Sequence, residues 1–294
     1  MGSMQVHTED IRSFSHYLRE KGKQPATTES YARDLATFLE YLQASRISWQ
    51  QLEPSTLIFY QKYLSTERQS HPNSIRRAVI SIRQFFRYLA ERETTFQSPF
   101  DEVSIPSRQE SPPSTFHEKQ LQTLLLSLQQ DDSVLKATRD IAIISLLAYE
   151  GIKANEIIAL RWTHYLPHLH YTTIKIEGKR ARIIQVLKKT AENIKKYRAA
   201  YVSFHKKGTG KKEKERMFFA FQGKDLTPYK SLSRHGLKYM LYERGEKVGI
   251  AGLHTEILRE HAIETLIKMG RTPEEIMAHL GLLRLGRIAR LVRK

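Results

Sequence analysis

The sequence predicts a mainly α protein of two domains with one small β-hairpin. Three observations carry this. Four amphipathic helical patterns fill roughly the first ninety residues, a proline-rich stretch without helical period follows, and one alternating strand pair interrupts an otherwise helical remainder. A length of 294 residues holds two cores, because single domains usually run to roughly 100–200 residues. The expected division is a helical domain over 1–97, a linker over 98–113 and a second domain over 114–294.

The first helix spans Thr8 to Glu20, with Ile11, Phe14, Tyr17 and Leu18 at helical spacing. After the break Lys21-Gly22-Lys23-Gln24-Pro25, Thr27 or Thr28 caps a second, whose apolar face is Tyr31, Leu35, Phe38, Leu39 and Leu42. A third runs from Pro54 to Thr66 and a fourth from Pro72 to Glu91, the latter presenting Ile75, Val79, Ile82, Phe85, Phe86 and Leu89. Short loops between such helices make a bundle. The same fourth helix carries Arg76, Arg77, Arg83 and Arg87, either a solvated face or a set of phosphate contacts.

Pro99, Pro106, Pro112 and Pro113 then sit among Ser, Glu and Arg, which reads as the linker. Helices resume at Glu118–Gln130 and Ala137–Tyr149. Tyr171–Ile176 and Ala181–Val186 form a hairpin around Glu177-Gly178-Lys179. Helix returns from Thr190 to His205, a basic loop occupies Lys206–Arg216, and the chain from Ser231 onward is mostly helical.

Lys+Arg number 48 against 31 Asp+Glu, a net charge of +17. Such a surplus repels itself in a compact fold, so a polyanion is the partner to test first. There are no cysteines, which excludes disulfides, thiolate chemistry and Cys-ligated zinc. No apolar run approaches the roughly 20 residues of a membrane span, and the N-terminus has no signal-like apolar stretch, so a cytoplasmic protein without membrane partners is expected. Met1-Gly2-Ser3, ahead of Met4, is read as native or as a cloning remnant.

The segment Leu146-Leu-Ala-Tyr-Glu-Gly-Ile-Lys-Ala-Asn-Glu-Ile-Ile-Ala-Leu-Arg-Trp162 resembles the first signature box of the tyrosine recombinase and phage integrase family, with a Xer-like order of elements. The helical bundle, linker, hairpin and helical C-terminal half match that family in order and length. The resemblance implies a SAM-like N-terminal bundle that binds the core of a DNA site and a mixed α+β catalytic-type domain, the two clamping duplex DNA. It implies an activity in which a tyrosine attacks the scissile phosphate, arginines and a histidine stabilise the phosphorane, and a hairpin lysine protonates the leaving oxygen.

Carried over residue by residue, little of that set is kept. The first arginine position is Lys153, with its accompanying Glu156, and lysine lacks the bidentate fork of arginine. Lys179 matches the hairpin lysine. The second box reads Glu256-Ile257-Leu258-Arg259-Glu260, so Arg259 is retained and Glu256 replaces the histidine. The third reads His279-Leu280-Gly281-Leu282, placing Leu282 at the supporting His/Trp position and Leu291 at the nucleophile. Only three residues follow Leu291, and a native end, a frameshift and a truncation are all open.

Two function classes follow: a catalytically silent DNA-binding regulator, architectural factor or partner subunit, and a working recombinase with an altered site. Thr255, Thr265 and Thr272 are the hydroxyls near the second box, and His254 and His261 flank Arg259. These two histidines read first as surface or capping residues. Phosphate contacts are expected from Arg76, Arg77, Arg83, Arg87, Lys175, Arg180, Arg182, Lys211 and Lys212. The partners expected are double-stranded DNA and, on it, a second copy or an active recombinase. His164, His168 and His170 read as a polar loop and not as a metal site, His279 pairs with Glu275 on a solvent-facing helix, and no cofactor is expected.

Overall fold

The computed structural model describes residues 8–93, 96–109, 116–205, 216–222 and 227–292. The chain is mainly helical with two small sheets, and it divides into two compact units, Met1–Pro112 and Pro113–Lys294.

The first unit is a bundle of α1 (Thr8–Glu20), α2 (Pro25–Ala44), α3 (Pro54–Thr66) and α4 (Pro72–Arg92). Prolines open three of these helices at the position where a missing N–H costs nothing. This displaces the expected cap of α2: Gln24 precedes Pro25, and Thr28 is a buried helical residue whose hydroxyl donates to Pro25 O at 2.8 Å. Phe38, Leu57, Val79, Ile82 and Phe86 are fully buried. Edge-on aromatic pairs knit them together, Phe38 with Tyr60 at 4.9 Å and Phe86 with Phe100 at 4.7 Å between centroids.

The stretch read as a linker folds back, in its described part, onto α4. Phe100 and Val103 join the bundle core, and Asn73 pairs with both backbone groups of Gln109. Without helical period, two apolar anchors and a supply of arginine donors are enough to fix it. Residues 110–115 lie outside the described ones.

The second unit is built on α6 (Val134–Ala148), whose second half is almost wholly apolar and buried throughout. Around it lie α5 (Glu118–Leu128), α7 (Ala154–Ala159), α8 (Lys188–His205), α9 (Arg234–Glu246) and α10 (Thr255–Lys268). The expected hairpin is present as β2 (Thr172–Ile176) and β3 (Arg182–Gln185), with Ile174 opposite Ile184 and Gly178 at φ +104 in the turn. The sequence reading missed three strands. β1 (Tyr165–Pro167) adds an antiparallel edge to β2, and β4 (Phe219–Gln222) pairs with β5 (Thr227–Ser231). β1, at three residues, is too short for alternation to register.

Asp140 is fully buried, yet it accepts from Arg244 at 2.7 and 2.9 Å, while Arg244 also reaches Asp131 at 2.7 Å. The chain closes with α11 (Pro273–Leu280) and α12 (Gly286–Val292). Ile263, Leu266, Ile276, Leu280 and Ile288 form a second, smaller apolar cluster there. Among the described residues, no helix is long and apolar enough to cross a membrane.

Candidate functional site

The turn after α6 sets the site. Gly151 takes φ +62, and an added Cβ would lie 2.3 Å from Leu280 and 3.3 Å from Ala262, so only glycine lets the turn approach α10 and α11 so closely. Two residues on, Lys153 occupies the N-cap of α7, its backbone N–H donating to Glu156 at 2.9 Å. Arg259, on the first turns of α10 and 7% exposed, donates from Nε to Gly151 O at 2.8 Å. The same turn thus carries one cation and anchors the other.

Lys153, Glu256 and Arg259 line one pocket of about 620 Å³. Burial, reinforced by Arg259, Arg182 and Arg180, pulls the Lys153 ammonium below its ordinary value against the pull of Glu156. Such mutual repulsion is relieved by an anion. Glu256 also lines the pocket, its oxygens 3.3 and 3.4 Å from Arg259 Nη1 while its side chain is half exposed. Arg234, His235 and Lys238, at the start of α9, and His254, before α10, also line it. Sequence reasoning missed the α9 residues. The Ser233 cap followed by Arg-His was their only signal, and nothing local says that α9 packs beside α7. Thr255 is the one hydroxyl among the lining residues.

The remaining expected residues separate. Lys179 sits exposed on the β2–β3 turn and does not line the pocket. Lys175, beside it, pairs with Glu177 at 3.2 Å. Arg182 faces inward: it binds Glu156 at 2.8 and 3.0 Å, His279 O at 2.7 Å and Arg180 O at 3.1 Å. Leu282 and Leu291 both pack on the C-terminal apolar cluster. Lys211 and Lys212 lie outside the described residues.

In the first unit, the α4 arginines are engaged within the bundle. Arg76 donates to Pro106 O and Arg77 grips Asp34 with two bonds of 2.8 Å. Arg83 reaches Val103 O at 2.7 Å and Arg87 reaches Asp101 at 2.8 Å.

Several histidines differ from expectation. His261 is buried, not a surface residue, and meets Glu118 at 2.9 Å with its Nδ1 unpartnered. Burial holds its pKa below the ordinary value, against the pull of Glu118. His279 does not pair with Glu275, which caps α11 instead. Its Nε2 lies 3.5 Å from the fully buried Glu150. His164 is buried and faces Glu177 at 3.5 Å, while His168 stacks on Tyr171. Among the described residues, no group of three His, Cys, Asp or Glu is placed to hold a metal ion.

Residues 11–93 match the family described as phage integrase, N-terminal SAM-like domain. The tyrosine recombinase XerC of Leptospira interrogans serogroup Icterohaemorrhagiae serovar copenhageni is 25% identical over 280 residues, covering 93% of this chain and 86% of that protein. The SAM-like match and this relative support placing the chain with the tyrosine recombinases and phage integrases. The tyrosine recombinase XerD of Lacticaseibacillus casei, another relative, is 24% identical over 258 residues, 80% of this chain and 85% of that one. The crystal structure of the XerH site-specific recombinase bound to difH substrate shares the fold, with a TM-score of 0.71 at 15% identity, over 98% of this chain and 82% of that one. The pocket of Lys153 and Arg259 lies between the turn after α6 and the start of α10, the two segments whose sequence resembles the first two family boxes.

Proposed function

We propose that this chain is a duplex-DNA-binding member of the recombinase family that does not cut DNA, acting as a regulator, an architectural factor or the silent partner of an active recombinase. One observation carries the reading. Lys153 and Arg259 still share a pocket fit for a phosphate, while Leu282 and Leu291, at the family's supporting and nucleophile positions, belong to an apolar cluster. A leucine offers neither a proton donor nor an attacking oxygen, and losing a nucleophile alone costs about 10⁴–10⁶ in rate. Glu256 adds to this, since a carboxylate beside a phosphorane opposes the charge to be stabilised.

DNA binding needs only cationic faces. Six phosphate contacts give an affinity that falls about 10³-fold from low to moderate salt. Lys175, Lys179, Arg180, Lys211 and Lys212 are the candidates for this in the second unit. The relatives named above include a recombinase solved on its DNA substrate, in keeping with a duplex partner. A homo-oligomer, or a hetero-oligomer with an active recombinase on the same site, fits the role.

The second reading, a working recombinase with an altered site, is favoured by Thr255, a hydroxyl in the pocket. A nicked suicide duplex decides between them. The silent reading expects retarded complexes on a native gel and none after denaturation. A covalent adduct surviving denaturation, and lost in Thr255→Ala, would establish the other.

A further inference from the structure

A second concavity of the C-terminal unit, about 930 Å³, shares no lining residue with the pocket of Lys153 and Arg259. It lies between the β1–β2 turn and α8. Leu169 stands at the tip of that turn at 90% exposure, with Tyr171 and Val202 also exposed along the groove. The turn is held shut. His168 N donates to Tyr171 O at 2.8 Å, the two rings stack at 4.4 Å, and His168 Nε2 lies 3.1 Å from the Thr173 hydroxyl. Leu169 is therefore presented to solvent by a fixed backbone, which lowers the ordering cost of any contact it makes.

The charges around these apolar groups are one-sided. Lys188, Lys195 and Arg198 line the groove from α8 against one carboxylate, Glu192. Arg198 lies over the rings of Trp162 and Tyr165, at 5.9 and 5.7 Å, which fixes it against the groove wall. We propose that this groove docks an acidic segment of a partner protein, one that sets leucine or aromatic side chains among its carboxylates. Charge complementarity selects the acidic partner. The exposed Leu169 selects protein over nucleic acid, because a sugar-phosphate surface offers an isobutyl group no dry contact.

Fluorescence anisotropy on the full chain tests this with two labelled synthetic peptides, one alternating leucine with glutamate and one alternating leucine with lysine. The glutamate peptide is expected to bind at least about 10-fold more tightly than the lysine peptide. Leu169→Ser and Lys195→Glu, both on exposed side chains and checked for folding by circular dichroism, should each weaken it by about 10-fold without changing duplex-DNA affinity. Failure of the glutamate peptide to bind, equal binding of both peptides, or indifference to both substitutions overturns the proposal. So does displacement of the peptide by duplex DNA, which would make the groove a nucleic-acid surface.

Discussion

Arg182 holds Glu156 with both terminal nitrogens, and the two side chains are only 9% and 11% exposed. Burial pushes the Glu156 carboxyl up, but the bonds from Arg182 and from the Lys153 backbone outweigh it and leave it below the usual carboxylate range. Arg182→Leu strands a buried carboxylate beside Lys153 and should cost about 3 kcal/mol in urea unfolding. Adding Glu156→Gln should recover part of that loss. A single variant within about 0.5 kcal/mol of the parent would contradict the structural role given to Arg182.

Glu256 competes with any anion for Arg259. Glu256→Gln should therefore raise affinity for a short duplex by about 10-fold at moderate salt and steepen the salt dependence by about one counterion. Titrations at several salt concentrations would read both, and unchanged binding would place the phosphates elsewhere.

Leu282→Ala and Leu291→Ala should each lower stability by about 1–2 kcal/mol, less than for a fully buried leucine because both are only partly covered. Chemical denaturation checks this. Lost DNA affinity at unchanged stability would place these side chains at the phosphate and not in the cluster.

Stability should fall as the medium is acidified from neutrality. The folded pKa values of His261 and His164 lie below their unfolded values, with burial the leading cause in both. Folding therefore favours their neutral forms, and that contribution, complete above about pH 6.5, is lost as pH falls towards the folded values. His261→Phe keeps the ring contacts with Phe116 and Tyr149 and should flatten part of the slope in melting temperature against pH. An unaltered slope would assign it to other groups.

Arg83→Met should weaken the first unit more than it weakens DNA binding, because both terminal nitrogens of Arg83 already serve the carbonyls of Val103 and Asp101. Melting and binding measured on the same variant separate the two roles. A drop in salt dependence at unchanged stability would restore the phosphate reading for α4.

The helices and the hairpin were legible because long periodic patterns report their own burial, as Ile75, Val79, Ile82 and Phe86 do along α4. Lys153, Glu256 and Arg259 were legible through ordered boxes whose residues meet in space. Arg234, His235 and Lys238 were not, since their place beside α7 depends on packing between distant segments. The intramolecular partners of the α4 arginines were hidden for a related reason. A cation on a helix surface looks solvated until the carbonyls of a returning segment are seen against it.

Gly151 gives the site its mechanical tolerance. Its carbonyl steadies Arg259, its missing side chain admits Leu280, and Lys153 stands two residues further along the same turn. Extra bulk at any of these points has no slack to absorb it, so a methyl group added deep in the apolar cluster would be transmitted as a displaced guanidinium. The greasy end of the molecule works in this sense as the bearing on which its charged pocket is aligned.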